Sequence, residues 1–126
     1  MAKMPTLFVS HGGPNVVTDP SDARTFLTQL STHVPRPSAI VINSAHFEAP
    51  GPAVVRDPTP GMIYDFSGFA PELHEMIYPA PGNPALADTV LDLLAAAGHK
   101  PAPLEQRGYD HGTWNPLILA FPDADI

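Results

Sequence analysis

Two histidines, His11 and His46, each close an apolar run in this chain. The runs are Pro5-Thr-Leu-Phe-Val-Ser-His11-Gly-Gly-Pro14 and Ser38-Ala-Ile-Val-Ile-Asn-Ser-Ala-His46-Phe-Glu48. Both read as buried strands, and open α/β sheets bind ligands in the crevice beyond the carboxyl ends of their strands. Two imidazoles delivered there from neighbouring strands could share one divalent metal ion. Gly12 and Gly13 remove side chains where backbone must approach a ligand, and Pro14 stiffens the turn. Ser44 and Ala45 leave space before His46, and Phe47 offers an apolar wall. A third histidine, His111, stands between Asp110 and Gly112; the aspartate could fix its tautomer or simply cap a helix. The other three have bland readings: His33 and His99 lie beside helix ends, and His74 lies on the solvated face of a helix.

The elements that must position these groups follow from the apolar pattern. Residues 5–10 read as a first strand. Asp19 and Pro20 open a helix with Phe26, Leu27, Leu30 and Val34 at helical spacing, stopped by Pro35 and Pro37. Residues 38–45, with Ile40, Val41 and Ile42 in sequence, read as a second strand covered on both faces, completing a βαβ unit. A short strand is expected at Val54 and Val55, and a helix from Pro71 through Leu73, Met76 and Ile77. Asn83-Pro84 caps the clearest helix, with Leu86, Val90, Leu93, Leu94 and Ala97 on one stripe and Gly98 at its end. A strand near 101–104 and a helix from about Asn115 to Phe121 follow. The expected fold is α/β, a mostly parallel central sheet flanked by helices. Pro122-Asp-Ala-Asp-Ile126 reads as the start of another strand, so residues 1–126 are expected to form the N-terminal half of a larger single domain.

Composition removes several function classes. The 126 residues carry 6 Lys+Arg against 13 Asp+Glu, a net charge of −7, the wrong sign for gripping a phosphate backbone, so no nucleic-acid partner is expected. With no cysteine, any transition metal must be held by imidazole and oxygen. No apolar run is long enough to span a bilayer, and a soluble, cytoplasmic protein is expected. The 17 prolines, about 13% of the chain against an average near 5%, fall between apolar segments and imply long, stiffened loops.

Five blocks occur in an order that resembles one family: Ser10-His-Gly-Gly-Pro14, Ser44-Ala-His-Phe-Glu48, Tyr64-Asp-Phe-Ser-Gly-Phe69, Tyr78-Pro-Ala-Pro-Gly82 and Gly108-Tyr-Asp-His-Gly-Thr-Trp114. They are similar to the class III extradiol ring-cleavage dioxygenases, and specifically to the DOPA 4,5-dioxygenase branch of the LigB-like superfamily. That resemblance implies an α/β domain with His11 and His46 as metal ligands and His111 as a catalytic, substrate-facing histidine. Phe47 and Tyr64 are the substrate-binding candidates. The implied chemistry opens a catechol ring with O2 beside the diol at one divalent metal, Fe(II) for cleavage or Zn(II) as bound. Members of the family are roughly twice as long as this chain, and their second half supplies the remaining protein ligand and a further acid/base histidine. Glu48, Asp65 and Asp110 are the local carboxylates, and the family pattern makes none of them a ligand. The chain is therefore expected to need a complementary C-terminal segment or a homo-oligomer. A zinc hydrolase or a noncatalytic metal-binding or scaffold protein on the same fold are the alternative readings.

Overall fold

A computed structural model describes residues 3–126. Its regular elements are α1 (Asp22–His33), β1 (Ala53–Val55), α2 (Pro84–Ala96), β2 (Ala102–Leu104) and α3 (His111–Ala120), with single 3-10 turns at Pro14–Val17 and Pro71–His74. β1 and β2 pair in parallel, Ala53 opposite Ala102 and Val55 opposite Leu104, with α2 as the crossover between them. This is the parallel α/β arrangement expected, carried by a βαβ unit over residues 53–104. A parallel bridge between Met62 and Tyr109 extends the same direction toward α3. No helix among the described residues is long and apolar enough to cross a membrane.

The helices begin where a side chain can satisfy free backbone N–H groups. Ser21 Oγ accepts from Arg24 N at 3.0 Å to open α1, and Asn83 Oδ1 accepts from Leu86 N at 3.0 Å to open α2 with Pro84 in its first turn. Asp19, expected as the α1 cap, is occupied elsewhere: its carboxylate takes the Asn15 amide at 2.9 Å and the Thr18 hydroxyl at 3.1 Å. α2 ends as its composition implies, with Gly98 at φ +91° and the N–H of His99 returning to the Leu94 carbonyl. α3 starts at His111, four residues before the expected start. Asp110 caps it by accepting from Thr113 N, and Gly112 and Pro116 obscure the helical pattern.

The central core gathers Val16, Val17, Leu27, Leu73, Tyr78, Ala80, Trp114 and Ala124. α3 runs through its middle, packed against α1 and the Pro14–Val17 turn. Its polar requirements are met locally: Trp114 Nε1 donates to the Ile63 carbonyl at 3.3 Å and Tyr78 Oη to the Phe121 carbonyl at 2.8 Å. Burial pushes the Tyr78 phenol up to about 12, so it remains a donor throughout the working range of a protein.

Several expected elements differ. Residues 5–10 and 38–45 are assigned to no strand, and Phe8 and Val41 are exposed. The apolar runs are therefore present without the neighbouring strands that would turn them into a two-faced sheet interior. The Pro71 segment makes one turn only; it buries Leu73 completely and leaves Ile77 exposed. Phe26 and Leu93, expected on buried stripes, face outward, because α1 buries Leu27 and Leu30 and α2 buries Ala87. Ile126 continues no strand; it packs with Leu30, Ala120 and Phe121. This uneven burial predicts that Leu73→Ala lowers unfolding free energy by about 2–5 kcal/mol, whereas Phe8→Ala changes it by less than about 0.5 kcal/mol. Urea titration of each variant measures the difference.

Candidate metal centre

The three histidines singled out by the sequence come together. His11 leaves the chain just before the Pro14–Val17 turn, His46 lies in the loop after residues 38–45, and His111 is the first residue of α3. Their ring centroids lie 5.4 Å apart for His11–His46, 5.0 Å for His11–His111 and 4.0 Å for His46–His111. One potential ligand atom from each lies within 4.8 Å of the others. His111, expected to face the substrate rather than to ligate the metal, lies within the same cluster.

Three imidazoles this close need a reason not to be water-bonded or charged. His11 Nε2 is buried and has no hydrogen-bond partner among the described residues. Burial, reinforced by repulsion from His111 and His46, holds the His11 pKa below the usual histidine value despite the opposing pull of Asp110 and Asp65. A neutral imidazole with an orphaned buried lone pair is the form a metal ion binds. The donor set therefore fits a divalent cation, and neutral nitrogen ligands suit zinc and iron alike.

His111 is oriented by Asp65. Its backbone N–H donates to Asp65 Oδ1 at 3.0 Å, and its Nδ1 lies 2.7 Å from the same oxygen. Burial raises the Asp65 pKa, but the backbone and ring bonds from His111 outweigh it and the net shift is downward. The carboxylate is thus ionised, Nδ1 carries the proton, and Nε2 is the nitrogen left for a ligand or a proton. Asp65 holds the tautomer that the sequence left open for Asp110. Its signal was present in the Tyr64-Asp65-Phe66 block, but nothing in spacing alone joins residue 65 to residue 111.

Asp110 instead organises the backbone around the cluster. It is 2% exposed and accepts from Ser44 Oγ at 2.6 Å, Arg107 Nη2 at 3.0 Å and Thr113 N at 3.2 Å. Ser44 Oγ in turn accepts the His46 N–H at 3.1 Å, so one hydroxyl ties the His46 loop to the start of α3. Gly112 makes that contact possible: a Cβ there would overlap Ser44 Oγ and sit 2.8 Å from His46 Cδ2.

The walls of the site are aromatic. Phe66 packs edge-on to His111 at 5.4 Å and to Phe69 at 5.9 Å. His74 is exposed, as expected, with its ring centroid 4.8 Å from that of Phe66. Phe47 lies under the Arg107 guanidinium, 4.1 Å from its carbon to the ring centroid. Tyr64 donates its hydroxyl to the Met76 carbonyl and sets its ring 6.1 Å from Trp114. Glu48 is exposed and joins no hydrogen bond among the described residues. Asn115, one turn beyond His111, is fully buried with neither amide atom partnered among the described residues.

Residues 5–126 match the family described as the catalytic LigB subunit of aromatic ring-opening dioxygenase. The chain belongs to the LigB family. It is 45% identical over 98% of its length to the 4,5-DOPA dioxygenase extradiol of Escherichia coli K12, covering 45% of that protein. The 4,5-DOPA dioxygenase extradiol of Portulaca grandiflora is 43% identical over 96% of the chain, which covers 46% of it. The dioxygenase tasH of Hapsidospora irregularis is 33% identical, with 43% of its length matched. The crystal structure of an uncharacterized E. coli K12 protein superposes with a TM-score of 0.65 at 37% identity, over 87% of this chain and 39% of that one. The LigB chain thus spans a little under half the length of these curated relatives.

The Ser44 bridge predicts a mutational effect. Ser44→Ala leaves a buried Asp110 oxygen short of one donor and frees the His46 loop, at a cost of about 1–3 kcal/mol. Thermal unfolding followed by Trp114 fluorescence measures it, and Ser44→Thr should recover part of the loss.

Proposed function

We propose that the histidine cluster is the metal centre of an extradiol dioxygenase that opens the ring of a DOPA-like catechol with O2. The observation that carries this reading is the buried His11 Nε2, without a hydrogen-bond partner among the described residues, clustered with His46 and His111. In this reading His11 and His46 hold the metal. Divalent iron supplies the one-electron chemistry that O2 needs to react with a catechol, whereas zinc in the same donors supplies binding without redox chemistry. The names of the relatives point to the same reaction class.

The chain's own residues divide the remaining work. Asp65 keeps His111 Nδ1 protonated, so His111 Nε2 can take a proton from a catechol hydroxyl as general base. Phe66 packs edge-on against the His111 ring and gives it an apolar neighbour. Phe47 and Tyr64 are proposed to wall the aromatic substrate. Tyr64 does so through its ring, since its hydroxyl is already bonded to Met76. A complementary segment or a second copy would supply the rest of the centre. The share of the relatives covered and the exposed apolar runs at 5–10 and 38–45 support that part of the proposal.

A second assignment has one observation in its favour: His111 lies closer to His46 than His11 does, so it could be a third ligand instead of a base. Metal content separates the two. His11→Ala and His46→Ala should each lose most bound zinc by atomic absorption after dialysis. His111→Ala should retain it and, in the protein completed by its second half, lose about 10²–10⁴-fold in ring-opening rate. Zinc retained at wild-type stoichiometry by both of the first two variants would sink the metal centre, and zinc lost in the third would make His111 a ligand. Asp65→Asn should slow turnover without changing zinc stoichiometry.

A further inference from the structure

Two unfinished pieces of sheet border the same groove. Residues 39–43 belong to no helix, turn or strand, and none of their backbone N–H or C=O groups joins a hydrogen bond among the described residues. Yet Ile40, Val41 and Ile42 are the β-branched residues that strands favour, and Val41 is left 66% exposed. β1 is unfinished in a similar way. It bonds β2 through Pro52 O and Arg56 N. Backbone groups alternate along a strand, so those of Ala53 and Val55 point to the opposite edge, where β1 has no neighbour among the described residues. Main-chain donors and acceptors of this kind demand partners.

Residues 38–44 and Ala53–Val55 both line a groove of about 780 Å³, together with Leu86, Ala87 and Val90 of α2. They share it without bonding each other. What completes such a groove has a hydrogen-bonding edge on each side and apolar side chains for α2, and a β-strand has both. Ser44 and Asp110 line the same groove, so a strand lying there passes beside the two residues that hold the His46 loop to the start of α3.

We propose that this groove receives one apolar strand of a complementary segment, inserted between residues 38–44 and β1 and hydrogen-bonded to both. The proposal rests on the reading above of a centre completed from outside the chain, and deepens it by naming the surface and the form of the partner. The donor is the counterpart of the relatives' unmatched portion, since this chain covers only 45% of the E. coli protein. A second copy is a poor donor. Its own unpaired apolar runs are 5–10 and 38–44; the first leads into His11, and the second ends at Ser44, bonded to Asp110. Giving up either would pull a histidine cluster apart to fill a groove.

Backbone hydrogen exchange followed by mass spectrometry tests this, in chelator, so that failure of the metal-centre reading would leave every readout unchanged. The probe is the portion of the E. coli K12 4,5-DOPA dioxygenase extradiol outside the match, expressed as a separate polypeptide. In the chain alone the amides of residues 39–43, Ala53 and Val55 should exchange as unpaired backbone, and adding the probe should slow both sets at least about tenfold. Val41→Pro removes one N–H from an exposed position and should weaken the complex. Ile77→Ala, at an exposed residue outside the groove, should not. Slowing at 39–43 alone makes the contact an addition to one edge and overturns insertion. No slowing in either set overturns the docking surface, whether or not a complex forms. Slowing of both sets in the chain alone, with a doubled mass by light scattering, gives the groove to a second copy and overturns the named occupant.

Discussion

A buried carboxylate needs hydrogen-bond donors for its oxygens, and Asp110 is where this chain meets that demand. Its donors come from three segments: a hydroxyl from the His46 loop, 66 positions away in sequence, a guanidinium from the segment after β2, and a backbone N–H from the first turn of α3. Satisfying the anion fixes all three relative to one another. His46 and His111 are then neighbours because the residues beside them are bound to the same group. The helix contributes as well, since its N-terminus favours a negative charge at the cap position.

The cluster is consequently held from outside rather than by contacts among the rings. Asp65 sets the tautomer of His111, Phe66 sets the pose of its ring, and Trp114 beneath them is completely buried in the central core. His11 bears a buried nitrogen that finds no hydrogen-bond partner among the described residues. Nature tolerates such a group when something other than the protein completes it.

The sequence revealed the chemistry more clearly than the architecture. His11, His46 and His111 could be picked out because small residues and glycines surround them, and all three meet in space. Helix caps at Asn83 and the glycine exit at Gly98 were legible because capping is local. The strands expected at 5–10 and 38–45 are absent among the described residues, because an apolar run states that a segment wants to be buried and cannot state what will pair with it. Asp65 was overlooked for a related reason. Its partner lies 46 positions away, and one-dimensional spacing carries no information about a contact made by folding.

Gly112 has a consequence for anyone seeking to redesign this centre. Its φ is not in the left-handed region, so no backbone torsion demands glycine there; the demand comes from Ser44 and His46, which occupy the volume a methyl group would need. A randomised library across the first turn of α3 should therefore return one answer at position 112 and several at neighbouring positions. Larger residues would become acceptable only in clones that also shorten Ser44 to glycine or move the His46 loop. Position 112 thus acts as a spacer of fixed width, and changing the distance between the two histidines means redesigning both sides of it at once.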